Sequence, residues 1–228
     1  MNRNTIGMSG VGRRALPCVL AVALLPACAS MDKSQKGAAA GGAGGGALGA
    51  FIGHQIGSTA KGAIIGAVVG GIAGAVIGEQ MDKQAGELSG DLEGARVVRV
   101  GEGLVVTFED GILFGFDSSN IQGAARTNLQ KLSASLQKYP RTDILIVGHT
   151  DSKGTANYNQ ELSQRRSDSA ASFLASEGVG RGRIRTSGKG EAEPISSNDS
   201  AAGQSQNRRV EVAIVADADL RERARTDN

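Results

Sequence analysis

The chain has 228 residues, with 25 Lys and Arg against 23 Asp and Glu, 34 glycines and only 3% aromatic residues. That length allows one or two domains, and so much glycine is unusual for an evenly packed domain, which predicts that it is concentrated somewhere. Without Arg3, Arg13 and Arg14, which lie in a segment expected to be removed, 22 basic residues stand against 23 acidic ones, a balance that excludes a broad basic footprint for nucleic acid.

The amino terminus reads as a secretory signal, with basic residues, no acid before Asp32, and an apolar run over residues 15–25. That run falls short of the roughly 20 apolar residues a spanning helix needs. Two cleavage patterns compete. "LPAC", residues 25–28, resembles a bacterial lipobox, although Pro26 is an imperfect lipobox residue, and "ACA", residues 27–29, fits the small-x-small rule of ordinary signal peptidase. The lipobox is preferred. Loss of the leader removes Cys18 and leaves Cys28 as a lone thiol in an oxidising compartment, whereas a thioether-linked lipid on Cys28 disposes of it. Ala29 and Ser30 follow instead of Asp, which resembles lipoproteins sorted to the outer membrane. Residues 1–27 are thus a leader, with lipidation expected at Cys28, and residues 28–36 are a polar tether.

Residues 37–78 hold the glycine. It recurs at positions 41, 45, 49, 53 and 57 and, after one five-residue step, at 62, 66, 70, 74 and 78, with Ala, Ile, Val, Leu and Phe between. Glycine is a poor helix former in water, by about 1 kcal/mol relative to Ala, but a four-residue spacing aligns it on one helix face and lets two helix backbones approach closely, as in membranes. "STAK", residues 58–61, lies between the halves as the expected turn of a helical hairpin. A flexible linker is the plainer alternative, but linkers use Ser, Pro and charge and do not keep Ile, Val and Phe in phase. The segment is expected to associate with membrane or with copies of itself.

Residues 79–104 read as a short helix, a linker and a short strand. Residues 95–117, "ARVVRVGEGLVVTFEDGILFGFD", read as short strands broken at Gly101–Gly103 and at Asp110–Gly111. A helix is predicted over 127–138, with Ala125, Leu129, Leu132 and Leu136 on one stripe and Pro140 closing it. The apolar run at 143–148, "DILIVG", predicts a buried strand. A second helix spans 157–177 and ends at Gly178; Asn157 and Gln160 have the spacing of a capping box. Short strands follow at 183–186 and at 209–215, where Val210, Val212 and Ile214 point inward. Residues from 217 onward are charged and expected to be solvated. The order strand, helix, strand, helix, strand, strand predicts an α+β two-layer sandwich over residues 105–217, a small mixed sheet with helices on one face, followed by a charged tail over 218–228. Roughly 105–115 residues suffice for a modest core.

The stretch 148–166, "GHTDSKGTANYNQELSQRR", carries the chemistry. His149, Thr150 and Asp151 lie at or beyond the end of a buried strand, where ligand groups collect in sheets with helical crossovers. On the helix, Asn159, Leu162, Ser163, Arg166, Ala170 and Phe173 share a face by three- and four-residue spacing. Arg166 is on that stripe and Arg165 is not. A buried guanidinium needs an anion, and Asp151 is the candidate. Either the two form a structural ion pair, or both face a cleft that holds a zwitterion, the aspartate taking an ammonium and the arginine gripping a carboxylate through its planar fork.

Residues 148–174, with "RIRTSGKGEAEPISSN" and "AAGQSQNRRVEVAI" after them, resemble the OmpA-like C-terminal domain, the peptidoglycan-binding module shared by the OmpA, Pal and MotB proteins. The likeness runs from about residue 116 to 215, roughly half the chain, and the layout of lipobox, glycine zipper and this domain resembles YiaD-type outer-membrane lipoproteins. The resemblance implies an OmpA-like fold. It also implies that Asp151 and Arg166 hold the diaminopimelate of the peptide stem, with Asp117, Thr150, Asn159 and Leu162 near the ligand. Ser167 replaces the family's common alanine. Residues 207–209, "NRR", also match and are expected to be mostly structural.

Catalysis is not expected. No GxSxG elbow or third group accompanies His149 and Asp151, one histidine with scattered carboxylates makes a poor metal site, and "GKGE", residues 188–191, lacks the phosphate-loop pattern. No cofactor is expected. His149 is expected to pack or hydrogen-bond at the strand end. The expected partners are peptidoglycan, the outer membrane through the lipid and the glycine zipper, and a second copy of the chain. The competing function is a zipper-driven oligomeric membrane assembly in which the sheet domain serves only as wall anchor.

Overall fold

The computed structural model describes residues 58–68 and 74–226. The leader, Cys28, the tether and the first half of the glycine segment lie outside them. In chain order the elements are α1 (Thr59–Val68), α2 (Gly74–Asp91), β1 (Ala95–Val100), β2 (Gly103–Glu109), the one-turn α3 (Asp110–Leu113), α4 (Gly123–Lys138), β3 (Thr142–His149), α5 (Ala156–Ser176), β4 (Ile184–Gly188), α6 (Ala201–Asn207), β5 (Arg209–Ala216) and α7 (Ala218–Thr226). The strands form one sheet in the order β1-β2-β5-β3-β4. All neighbours are antiparallel except β3 and β4. This is the mixed α+β sheet that the sequence predicts.

The two-residue period of a strand divides the sheet's faces. Val210, Val212, Ile214 and Ala216 of β5 point to the front, with Leu104, Val106 and Phe108 of β2 and Ile144 and Ile146 of β3. There they meet Leu129, Leu132 and Leu136 of α4, Ala170 and Leu174 of α5, and Ile77, Met81 and Leu88 of α2. The alternate residues Val105, Val147 and Ala213 point to the back, where Ala60 and Ile64 of α1 cover them. Within residues 105–217, α4 and α5 thus pack on one face, as expected, while α1, from the glycine segment, covers part of the other. The continuous apolar run of β3 has the same cause, because a strand covered on both sides needs apolar residues at every position.

Four expectations are corrected. The short helix expected from residue 79 is longer, running from Gly74 to Asp91 as α2, and its Ile77, Met81 and Leu88 enter the main core. Ser58–Lys61 does not form a turn, because Thr59–Lys61 is the first turn of α1. The carboxy-terminal tail from residue 218 is helical. Asp217 accepts the Leu220 N–H at its start (2.6 Å), and Ala224 is buried in the core. Thr155, not Asn157, caps α5, its hydroxyl oxygen accepting from the Tyr158 N–H at 3.3 Å. Gln160, expected to complete a capping box, instead donates to the Gly188 carbonyl at 2.8 Å. Among the described residues no helix is long and apolar enough to cross a membrane.

Candidate functional site

The site forms where β3 leaves the sheet. Gly148 and Gly188 sit side by side on β3 and β4 and let α5 approach closely. A Cβ on Gly148 would lie 2.7 Å from the Ser167 hydroxyl, and one on Gly188 2.7 Å from that of Ser163. This contact sets α5 against the strand end, and three backbone and side-chain bonds hold the residues that follow. The Thr150 N–H donates to the Gly190 carbonyl (2.9 Å), the Lys189 N–H to that of Gly148 (3.0 Å), and the Asn159 amide to that of Asp151 (3.3 Å).

Asp151 is 5% exposed. One carboxylate oxygen accepts from the Lys153 N–H at 3.0 Å, and the other from the Arg208 guanidinium at 2.6 Å. Arg166 is 2% exposed, as its helical phase requires, while Arg165 lies in solvent beside Glu161. The Arg166 Nε–H donates to the Ser118 carbonyl at 2.9 Å, and the guanidinium lies 5.5 Å from the centre of the Phe114 ring, a cation–π distance. The partner of Asp151 is thus Arg208, not Arg166 as the sequence suggested. The two buried charges are held by different neighbours.

The remaining expected residues lie on the end of β3, on α5 and in the loop after α3. Asn159, Thr150 and Leu162 are buried at 2%, 4% and 6% exposure. Asn159 also donates to the Glu191 carboxylate at 2.6 Å. The Thr150 hydroxyl has no hydrogen-bond partner among the described residues. Asp117 is exposed and in the left-handed region (φ 54°), unusual for a residue other than glycine. Its carboxylate accepts from the Tyr158 hydroxyl, which ties the loop after α3 to the first turn of α5. Beside this loop is an open depression of about 450 Å³, lined by Ser119, Asn120, Asp168 and Ser172, among others.

Sequence reasoning missed Arg208, Glu191 and Tyr158. For Arg208 the signal was present. Val210 and Val212 point to the front, so Arg208 shares their side and Arg209 takes the other. Arg209 is accordingly buried at the back, donating to Glu211 (2.7 Å) and to the Glu193 carbonyl (3.2 Å). Asn207 is structural, accepting the Ile195 and Ser196 N–H groups at 2.8 and 3.0 Å. The "NRR" expectation therefore splits, one residue reaching the site and two supporting the fold.

His149 lies apart from Asp151 despite the short sequence distance. It is buried at the back, 3.9 Å from Glu193 and 4.0 Å from Glu211, and neither ring nitrogen has a hydrogen-bond partner among the described residues. Burial, with help from Arg209 and Lys189, holds its pKa well below the usual 6.5, so the ring is neutral. It packs at the strand end, as expected, but does not hydrogen-bond. Among the described residues no three His, Cys, Asp or Glu side chains cluster closely enough for a metal ion.

Residues 113–208 match the OmpA family, and residues 11–82 match the YMGG-like Gly-zipper family. The chain is 40% identical over 121 residues to the "Probable lipoprotein YiaD" of Escherichia coli (strain K12), covering 53% of this chain and 55% of that one. It is 40% identical over 117 residues to the peptidoglycan-associated lipoprotein of Brucella melitensis biotype 1, covering 51% of this chain and 70% of that one. The cell wall anchor of the T6SS from Pseudomonas aeruginosa superposes with a TM-score of 0.53 at 27% identity, covering 60% of this chain and 97% of that one. The chain thus spans about half the length of YiaD and more of the Brucella lipoprotein. These relatives are lipoproteins and a wall anchor, not enzymes, in agreement with the non-catalytic reading. With 70% of the Brucella lipoprotein matched at 40% identity and the family's pattern running through β3, α5 and the loop to β5, the chain belongs to the OmpA family.

Proposed function

We propose that this chain anchors the outer membrane to peptidoglycan by non-covalent, non-catalytic recognition, and that its site holds the diaminopimelate of the peptide stem. The observation that carries this reading is a pair of buried opposite charges, Asp151 and Arg166, at the junction of β3 and α5. Diaminopimelate presents an ammonium and a carboxylate on one carbon. Asp151 uses one acceptor position on each oxygen out of about four lone-pair sites on a carboxylate, which leaves room for the ammonium. Arg166 supplies the fork for the carboxylate. Thr150, Asn159 and Leu162 line the same strand end and helix face, and Asp117 closes it from the loop. The names of the relatives, a peptidoglycan-associated lipoprotein and a cell wall anchor, support the wall as partner. On the membrane side, the proposed lipid on Cys28 and the glycine segment would supply the attachment.

Asp151→Ala and Arg166→Ala are each expected to abolish pull-down by purified sacculi while thermal unfolding stays cooperative. Binding at the parent level by both variants overturns the site assignment. The match to the Gly-zipper family supports a second, compatible reading in which the zipper assembles oligomers. Detergent-resistant oligomers that persist in Gly66→Leu would count against it.

A further inference from the structure

We propose that docking of α1 on the back of the sheet holds the wall-binding site in its binding form, and that the segment joining β4 to α6 carries the coupling. The inference rests on the reading of Asp151 and Arg166 as the wall-binding pair. It concerns a part of the chain that reading does not use.

The seat for α1 is shaped and polar at one end. Ala60 and Ile64, one helical turn apart, lie over Val105, Val147 and Ala213. Gly103 makes room for them, since a Cβ there would come within 2.8 Å of an Ile64 methyl. At the amino end of α1 the Ser58 hydroxyl donates to Glu211 at 2.7 Å, and the Thr59 N–H and hydroxyl both donate to Glu193, the N–H at 2.9 Å. Both carboxylates are buried. Without α1 Glu211 keeps the Arg209 guanidinium, but Glu193 loses both Thr59 donors. The segment that carries Glu193 then loses its tie to α1 and is freer to move.

That segment is bonded to the site within three residues of Glu193. The Gly190 carbonyl accepts from the Thr150 N–H, beside Asp151. Glu191 accepts from Asn159 on α5. Further on, Asn198 accepts from the Ser152 N–H at 3.3 Å. The back of the sheet and the site therefore share one short stretch of backbone, with Glu193 held by α1 and Glu191 by α5. The same α1 belongs to the glycine segment expected to enter membranes or pair with copies of itself, and it cannot do either while seated on the sheet. The two placements exclude each other, which supplies the two states that coupling between sites requires.

The test uses the full chain carrying Ala213→Cys, with reaction of that thiol with a maleimide followed by peptide mass analysis and binding followed by sacculus pull-down. With α1 unaltered the thiol should be protected and the sacculi bound. Ile64→Asp should expose the thiol and weaken binding by about fivefold or more, the lower range of coupling between sites. Thr59→Val removes only the hydroxyl bond to Glu193 and should weaken binding less, in the same direction. Lys61→Ala, on the exposed side of α1, should change neither readout. A thiol that reacts equally with and without Ile64→Asp overturns the docking. Parent-level binding with the thiol exposed overturns the coupling. Should Ile64→Asp fail to fold, Thr59→Val decides, and parent-level binding by it overturns the coupling. Failure of the unaltered chain to bind sacculi would instead overturn the wall-binding reading beneath.

Discussion

A buried imidazole flanked by two carboxylates and an arginine has a definite consequence for acid stability. In the unfolded chain His149 takes up its proton near pH 6.5. In the folded protein it does so only well below that value. Between the two, the unfolded state binds more protons, so stability falls as pH drops below about 6.5, by at most about 1.4 kcal/mol per pH unit. Above that range the contribution is fully present. The melting temperature is therefore expected to decrease from pH 7 to pH 5, and His149→Gln should flatten the decline; an equally steep decline in that variant would refute the assignment. At this scale the sequence was partly legible. Helical phase alone separated Arg166 from Arg165, because burial along a helix follows its period. The partner of Asp151 was misread because spacing along one helix and loop says nothing about Arg208, which arrives 57 residues later between α6 and β5. The strand's own alternation pointed to it.

At the level of elements, the closeness of α5 to β3 and β4 is the feature that sets the site. Gly148→Ala would drive a methyl group against Ser163 and Ser167, and overpacking of this kind costs about 1–3 kcal/mol. Urea denaturation should show a loss in that range, with sacculus binding weakened as α5 is pushed from Asp151. An unchanged midpoint would mean that the helix can retreat freely. The main strands and α4 and α5 were legible, since their periods are strong and their ends carry turn residues. The one-turn α3 within residues 95–117 and the true extent of α2 were not. Helix α2 places Ile77, Met81 and Leu88 on its buried side among Glu79, Asp82, Lys83 and Glu87, and its first turn still belongs to the glycine repeat, so composition marked a boundary in the middle of a helix. The tail helix was missed for a similar reason. Its charge hides the two apolar contacts, Leu220 and Ala224, that hold it.

For the whole molecule, the proposed attachments lie at opposite ends of a chain segment with a covalent limit. From Cys28 to Ser58 is about 30 residues, which can span no more than about 100 Å when fully extended. Release of α1 would extend that limit to Gly74, adding about 50 Å. Mass spectrometry of the mature amino terminus is expected to find a lipid-modified Cys28, and an unmodified start at Ser30 would remove the membrane end of the proposal. The chain also carries an optical property that its composition dictates. It has no tryptophan and two tyrosines, so emission excited in the tyrosine absorption band comes from Tyr139 and Tyr158. Tyr139 is buried beside Glu87, whereas Tyr158 is partly exposed and donates its hydroxyl to Asp117 across the loop of the site. A carboxylate that accepts the phenolic proton quenches tyrosine emission. Anything that draws Asp117 away from Tyr158 should brighten the protein, so a ligand that engages Asp117, as proposed, would report its own binding by fluorescence without a label.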